Sequence, residues 1–212
     1  MKITVFGASG GIGGEVVRQA LDSGHKVTAV IRESSGFGVQ HPSLEIVRVA
    51  GLTDPEALQP ALEASDAAIS GVGPRSRKDG PVASTTVGGI LQALEASRVE
   101  RFVAVSAVPA GPVPEGDSFV NRRLLLPFIS VMLRDTYADL TAMEQAIARS
   151  SADWTVIRPP KLVDKPLTGQ YRTRIGSNVP RGYTAGRADV AHLMLAVLDD
   201  PATIGQPVGI AY

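Results

Sequence analysis

The chain has no cysteine, which excludes disulfides, thiolate metal sites and a cysteine nucleophile together. It has no charge bias: 21 Lys and Arg balance 21 Asp and Glu, for a formal net charge of zero. A neutral chain lacks the electrostatic footprint that draws a protein to nucleic acid or to an anionic membrane, so neither is an expected partner. No apolar run is long enough to span a bilayer. Met1 to Phe6 runs straight into a glycine turn, without the basic region, apolar stretch and small-residue cleavage site of a signal peptide. A cytoplasmic location is therefore the expectation. His25, His41 and His192 are scattered with no ligand spacing, so no metal site is expected. One further absence bears on chemistry: no lysine occurs between Arg101 and Pro160.

What is present is an alternation of short apolar strands with helical patterns across 212 residues, enough chain for a substantial core in one domain. Ile3 to Phe6 reads as a strand, and Ile12, Val16, Val17, Ala20 and Leu21 then recur at helical spacing up to a stop at Gly24. Strands are predicted at Lys26 to Ile31, Leu44 to Val49, Asp66 to Ser70, Arg101 to Val105 and Trp154 to Ile157. Between them fall a helix capped by Asp54-Pro55 and ending near Glu63, a long helix over Val82 to Ser97, and a helical region ending near Ser150. Strands apolar on both faces and separated by helices imply a buried parallel sheet with helices on each side. Towards the end, Thr168 to Arg174 reads as a hairpin-like excursion, Ala188 to Leu198 as a helix and Gln206 to Ala211 as a last strand. No repeat or linker divides the chain. The predicted fold class is α/β: a Rossmann-type doubly wound parallel sheet in three α/β/α layers, one domain over residues 1–212, with a small substrate-side portion from about 159 to 212.

The strongest chemical signal is the turn between the first strand and the first helix. Gly7, Gly10 and Gly13 follow G-x-x-G-x-x-G. In that context the first glycine permits a tight turn, the second lets backbone approach a pyrophosphate, and the third allows close helix–strand packing. The N–H groups and dipole of the helix start then favour the diphosphate anion. A site for NAD commonly ends the second strand with an acidic residue that bonds the ribose hydroxyls. Arg32 stands there, followed by Glu33. A guanidinium can pair with a 2′-phosphate, so NADP(H) is favoured over NAD(H), with Glu33 on the ribose as the competing reading.

Four segments together resemble the atypical short-chain dehydrogenase/reductase superfamily, and within it the NmrA-like NAD(P)H-binding group that includes biliverdin reductase B, an NADPH flavin reductase. They are Gly7-Ala8-Ser9-Gly10-Gly11-Ile12-Gly13, Val99 to Ser106, Asp153 to Pro160, and Arg187-Ala188-Asp189-Val190-Ala191. The resemblance implies that Gly7, Ser9, Gly10, Gly11 and Ile12 wrap the pyrophosphate and that Arg32 meets the 2′-phosphate. It further implies that Gly71, Val72 and Gly73 pass the adenine-side ribose, that Ser106 lies near the nicotinamide, and that Pro159, Pro160 and Lys161 flank its carboxamide. Where such proteins often carry an acidic residue near adenine, this chain has Leu52; adenine contact then falls to backbone groups or Asp54.

Carbonyl reductases and epimerases of this superfamily use a Tyr-x-x-x-Lys pair in which the lysine depresses the tyrosine pKa. Tyr137 is available, but four residues on stands Thr141. Hydride transfer to a flavin, quinone or extended tetrapyrrole asks less, because the acceptor stabilises its own charge and solvent can supply the proton. Ser106, Tyr137 and Lys161 are the candidate catalytic residues, each with a structural role as its competitor. The stretch 124–129 with Met132 and Leu133 is a candidate platform or lid, with core or a subunit contact as the competing and favoured reading. Arg75, Arg77 and Lys78 are candidates for an anionic ligand, or a solvated charge run. The expected function is an NADPH-dependent oxidoreductase acting on a small conjugated acceptor. The alternative is a non-catalytic redox sensor of NmrA-like type. Monomer and homodimer remain open.

Overall fold

The first strand, β1 (Lys2–Phe6), alternates its side chains between two apolar layers, and Gly7 ends it at a φ of +72 that only glycine adopts without strain. The protein is described here by a computed structural model covering residues 1–73, 80–111 and 134–212; Arg75, Arg77, Lys78 and the 124–133 stretch fall outside the described residues. After β1 come α1 (Gly11–Asp22), β2 (Lys26–Arg32), β3 (Leu44–Val49), α2 (Pro55–Leu62), β4 (Ala67–Ser70), α3 (Val82–Ser97) and β5 (Arg101–Val105). Then follow α4 (Arg134–Arg149), β6 (Asp153–Arg158), β7 (Lys161–Val163), β8 (Arg172–Ile175), β9 (Thr184–Gly186), α5 (Arg187–Ala196) and β10 (Gln206–Ala211).

Eight strands form one sheet in the order β3-β2-β1-β4-β5-β6-β10-β8, parallel throughout except for β8 against β10. The chain winds outward from β1 to β3 and then crosses to β4 and outward through β6. The direction reverses between β1 and β4, which is where an open α/β sheet leaves a crevice at its carboxyl ends. The glycine turn follows β1 at that point. α1 and α5 cover one face, with Val16, Val17, Val190 and Met194 packed on Ile3, Val5 and Ile31. α2, α3 and α4 cover the other, with Leu58, Ile90, Met143 and Ile147 packed on Phe6, Val30 and Phe102. This is the doubly wound, three-layer α/β/α Rossmann arrangement.

Two polar ties fix α4. Asp139 accepts from the Ala83 and Ser84 N–H groups at 2.8 and 2.9 Å, capping the start of α3, which begins at a proline cap with no side chain of its own to serve it. Glu144 meets Arg158 of β6 in a two-pronged ion pair, Nε to Oε1 at 3.0 Å and Nη2 to Oε2, both side chains nearly buried.

The end of the chain departs from the expected pattern. The excursion near 168–174 does not pair with its sequence neighbour: β8 covers Arg172–Ile175 and adds antiparallel to β10, Ala211 facing Arg172. A second small sheet pairs β7 parallel to β9, and the sequence carries no periodic signal of it, because each strand has only three residues and its partner lies far along the chain. Helix α5 ends at Ala196 and passes into a 3₁₀ turn over 197–199. Among the described residues no helix is long and apolar enough to cross a membrane.

Candidate functional site

The site begins with the packing of α1 on β1. Gly10 donates its N–H to the Gly7 carbonyl and Gly14 donates to Gly10, both at 2.8 Å, so the turn and the helix start are one rigid unit. A Cβ on Gly13 would stand 2.8 Å from the Gly7 carbonyl carbon and closer still to its oxygen. Glycine is therefore the only residue that lets α1 approach the strand this closely. Gly71, donating its N–H to Phe6 at 3.0 Å, packs against the same helix, where a Cβ would meet the Gly13 nitrogen at 2.9 Å. Among the described residues no side chain caps α1, and its first turn holds no acidic residue. Its leading N–H groups have no acceptor inside the helix, and they open towards the crevice at the switch point.

Around this cradle the other sequence-predicted residues take the following places. Arg32 ends β2 and is exposed, with Glu33 beside it, likewise exposed and bonded through its N–H to Val49. Arg48, on the neighbouring strand, reaches the Ser35 carbonyl at 3.2 Å, which puts a second arginine at this end of the sheet. Leu52 is half-buried against the apolar layer of Phe6 and Leu58, and Asp54 caps α2 by accepting from Glu56 at 3.1 Å. Asp54 thus already has a structural duty. Val72 is buried and follows β4 between two glycines.

At the other end, Ser106 follows β5 and is buried, and its hydroxyl has no hydrogen-bond partner among the described residues. Its N–H is fixed to the Ile157 carbonyl at 2.8 Å, Val108 N–H is fixed to Pro159 at 3.0 Å, and Asn178 donates to the Val108 carbonyl at 3.0 Å. The ends of β5 and β6 are thereby laced around that hydroxyl. Pro160 is half-buried, whereas Lys161 is exposed on β7. Tyr137 lies half-buried in the first turns of α4, and burial pushes its phenol above the ordinary value. Thr141 spends its hydroxyl on the Tyr137 carbonyl at 2.8 Å. So the position a lysine would need is occupied by a group turned onto its own helix, and the phenol is disfavoured as an anion.

Three residues near the cradle, Arg187, Asp164 and Asp189, have roles that the sequence does not assign. Arg187, first residue of α5, lies across Gly11: a Cβ there would meet its Cδ at 2.7 Å and its Nε at 3.0 Å. The same arginine donates to Asp164 at 2.7 Å. A groove of about 810 Å³ runs past this point from the glycine loop to residues 36–39 and to Lys165. Asp189, fully buried two residues further on, accepts from Thr168 N–H and Gly169 N–H at 2.9 Å, Thr168 Oγ1 at 2.8 Å and the Tyr212 hydroxyl at 2.6 Å. Burial alone raises its pKa, but these donors outweigh it and hold the carboxyl below the usual range. It anchors the loop that carries Asp164.

The profile of the NAD(P)H-binding family matches residues 7–201. The chain belongs to that family. This NAD(P)H-binding protein is 23% identical over 196 residues to the photosystem II assembly factor Ycf39 of Synechocystis sp., an alignment that takes in 91% of the chain and 54% of that relative. It spans little more than half the length of the curated relatives it matches, 54% in that case and 61% for an Arabidopsis thaliana protein. Among solved structures it superposes on a proposed NADH-flavin reductase from Streptococcus pneumoniae with a TM-score of 0.81 at 20% identity, covering 100% of this chain and 99% of that one. It superposes on a wide-type short-chain dehydrogenase/reductase from Veillonella parvula, solved in complex with NADP, with a TM-score of 0.80 at 14% identity, covering 100% and 94%. The family protein thus has an NAD(P)H-binding, oxidoreductase-like fold. Its residues fit such a dinucleotide: α1 starts behind a glycine turn with no side-chain cap and no acid in its first turn, and the buried Ser106 hydroxyl at the end of β5 has no hydrogen-bond partner among the described residues.

Proposed function

We propose that the chain is an NADP(H)-dependent reductase that passes hydride to a small conjugated acceptor, a flavin or a quinone. The observation that carries the reading is the state of Tyr137, raised in pKa by burial and followed one helical turn on by Thr141 instead of a lysine. An alcohol or ketone substrate needs a poised acid or base. A conjugated acceptor stabilises the arriving charge itself and draws its proton from solvent.

In this reading Ser9 and the backbone of Gly7, Gly10, Gly11, Ile12 and Gly13 hold the diphosphate, and Arg32 meets the 2′-phosphate as a planar, always-charged donor. Leu52 and the Gly71–Gly73 backbone flank the adenosine end. Ser106 donates its hydroxyl, which has no partner among the described residues, to the carboxamide or the acceptor, with Pro159, Pro160 and Lys161 beside it. Reduced nicotinamide, when bound, supplies the hydride equivalent. Tyr137 acts as a neutral hydrogen-bond donor, and the 159–212 portion lines the acceptor side.

The test is a titration with NADP⁺, NADPH, NAD⁺ and NADH, repeated for Arg32→Ala, followed by NADPH consumption with FMN, riboflavin and small quinones. Tight NADPH binding that weakens at least tenfold in the variant, with turnover of one acceptor, is expected. Binding without any turnover would transfer the case to the second reading, a redox sensor. That reading draws on the same unactivated tyrosine and on a relative named as an assembly factor. A sensor must prefer one oxidation state of its dinucleotide, because equal affinities cannot shift a conformational equilibrium.

A further inference from the structure

Two helices, α1 and α5, pack side by side, and their N-termini meet where the Arg187 side chain crosses Gly11. This is an electrostatically awkward place for an arginine. The start of a helix carries the positive end of its dipole, which favours anions and disfavours cations. The first turn of α1 holds no acidic residue, and Asp189, the acid in the first turn of α5, is fully engaged by Thr168, Gly169 and Tyr212. Glu15, further along α1, is paired with Arg18. The carboxylate that answers Arg187 is Asp164, whose side chain is 89% exposed and which therefore gives up little when the pair opens. Gly11 keeps an ordinary φ, so backbone conformation does not require a glycine there; its missing side chain is what leaves room for Arg187 to lie in this place.

We infer that Arg187 is a diphosphate-binding residue of the dinucleotide site, parked on Asp164 and released to the ligand. The inference rests on the dinucleotide reading above. Arg187 stands on a short tether over the uncapped helix start, so a diphosphate seated there receives the leading N–H groups from one side and the guanidinium from the other. A bidentate guanidinium–phosphate contact is among the strong charge-assisted hydrogen bonds. Asp164 competes with the ligand for the same donors, so the two partners of the ion pair have opposite effects on affinity. Lys165, next in sequence, is held over the Tyr212 ring at 5.2 Å and borders the same groove, which adds to the positive field there.

The experiment measures NADPH dissociation constants calorimetrically for the wild-type chain, Arg187→Ala, Arg187→Gln and Asp164→Asn, with thermal unfolding of each. Loss of one charge-assisted contact predicts at least tenfold weaker binding for both Arg187 variants. Asp164→Asn, which frees the arginine, is expected to bind NADPH two- to tenfold more tightly. A strap that only holds the 164–169 loop against α5 predicts weaker binding for all three, and that result overturns the proposal. So does unchanged affinity in both Arg187 variants. If the wild-type chain binds none of the four nicotinamide dinucleotides, the reading of the site itself has failed, which is a different outcome from either.

Discussion

Replacing Gly13 and Gly14 separately with alanine distinguishes close packing from helix propensity at two adjacent positions of one helix. Both are buried in α1, and in both alanine gains up to about 1 kcal/mol from propensity alone. At Gly14 the new methyl would find its nearest neighbours, the Ala8 oxygen and Arg18 Nη1, at 3.4 and 3.8 Å, which is ordinary contact. At Gly13 it would stand 2.8 Å from the Gly7 carbonyl carbon, nearer to its oxygen, and 3.1 Å from the Ala8 Cα. All three are backbone atoms that no rotamer change can move, so α1 must retreat by about 1 Å to restore van der Waals separation. Overpacking of this kind costs about 1–3 kcal/mol or more. Gly14→Ala should gain about 0.5–1 kcal/mol and raise Tm by roughly 1–4 °C, whereas Gly13→Ala should lower it by roughly 2–8 °C. The retreat also widens the cradle, so Gly13→Ala loses NADPH affinity while Gly14→Ala keeps it. Thermal unfolding and NADPH titration of the two variants beside wild type decide the matter. Equal melting temperatures, or a Gly13→Ala chain that binds normally, would refute the claim that this contact sets the geometry of the site.

Three further outcomes follow from contacts described above. Glu144→Gln strands the nearly buried Arg158 guanidinium and should cost about 3 kcal/mol in urea unfolding, while the double variant Glu144→Leu/Arg158→Met recovers most of it. For Asp189 the sign of the pH effect is fixed by its depressed pKa. The stabilisation is fully present above the unfolded value of about 3.9 and is lost as pH falls through the lower folded value. Asp189→Asn should therefore cost about 1.5–3 kcal/mol at pH 7, and the gap to wild type should close only below about pH 4; a gap that closes between pH 5 and 7 would point to another group. Tyr137→Phe should reduce NADPH-dependent acceptor turnover less than tenfold, and the wild-type pH–rate profile should show no step from this phenol between pH 6 and 9, because burial holds it above about 10.

Much of this fold is legible because its signals are local. The β-branched run at Ile3–Phe6, the glycine turn and the helical spacing from Ile12 to Leu21 lie within twenty residues, and each rule that reads them is a short-range rule. The same holds for Asp54-Pro55 at the start of α2. What stayed hidden depends on partners far apart in the chain. The sequence suggests an extended excursion near 168–174, but not that Arg172–Ile175 takes β10, more than thirty residues on, as its antiparallel partner. The candidate site divides along the same line. Its glycines are legible as a motif, and the loss of the tyrosine's lysine is legible as a spacing. The meeting of Arg187 with Gly11 is not, since it exists only once α5 has packed beside α1. Gly11 sits inside the turn where neither tight geometry nor helix–strand contact demands a glycine, since Gly7, Gly10 and Gly13 already meet those demands. A Cβ at Gly11 would fall on the Arg187 side chain, so what the missing side chain makes room for exists only after folding: a cation held against the start of a helix.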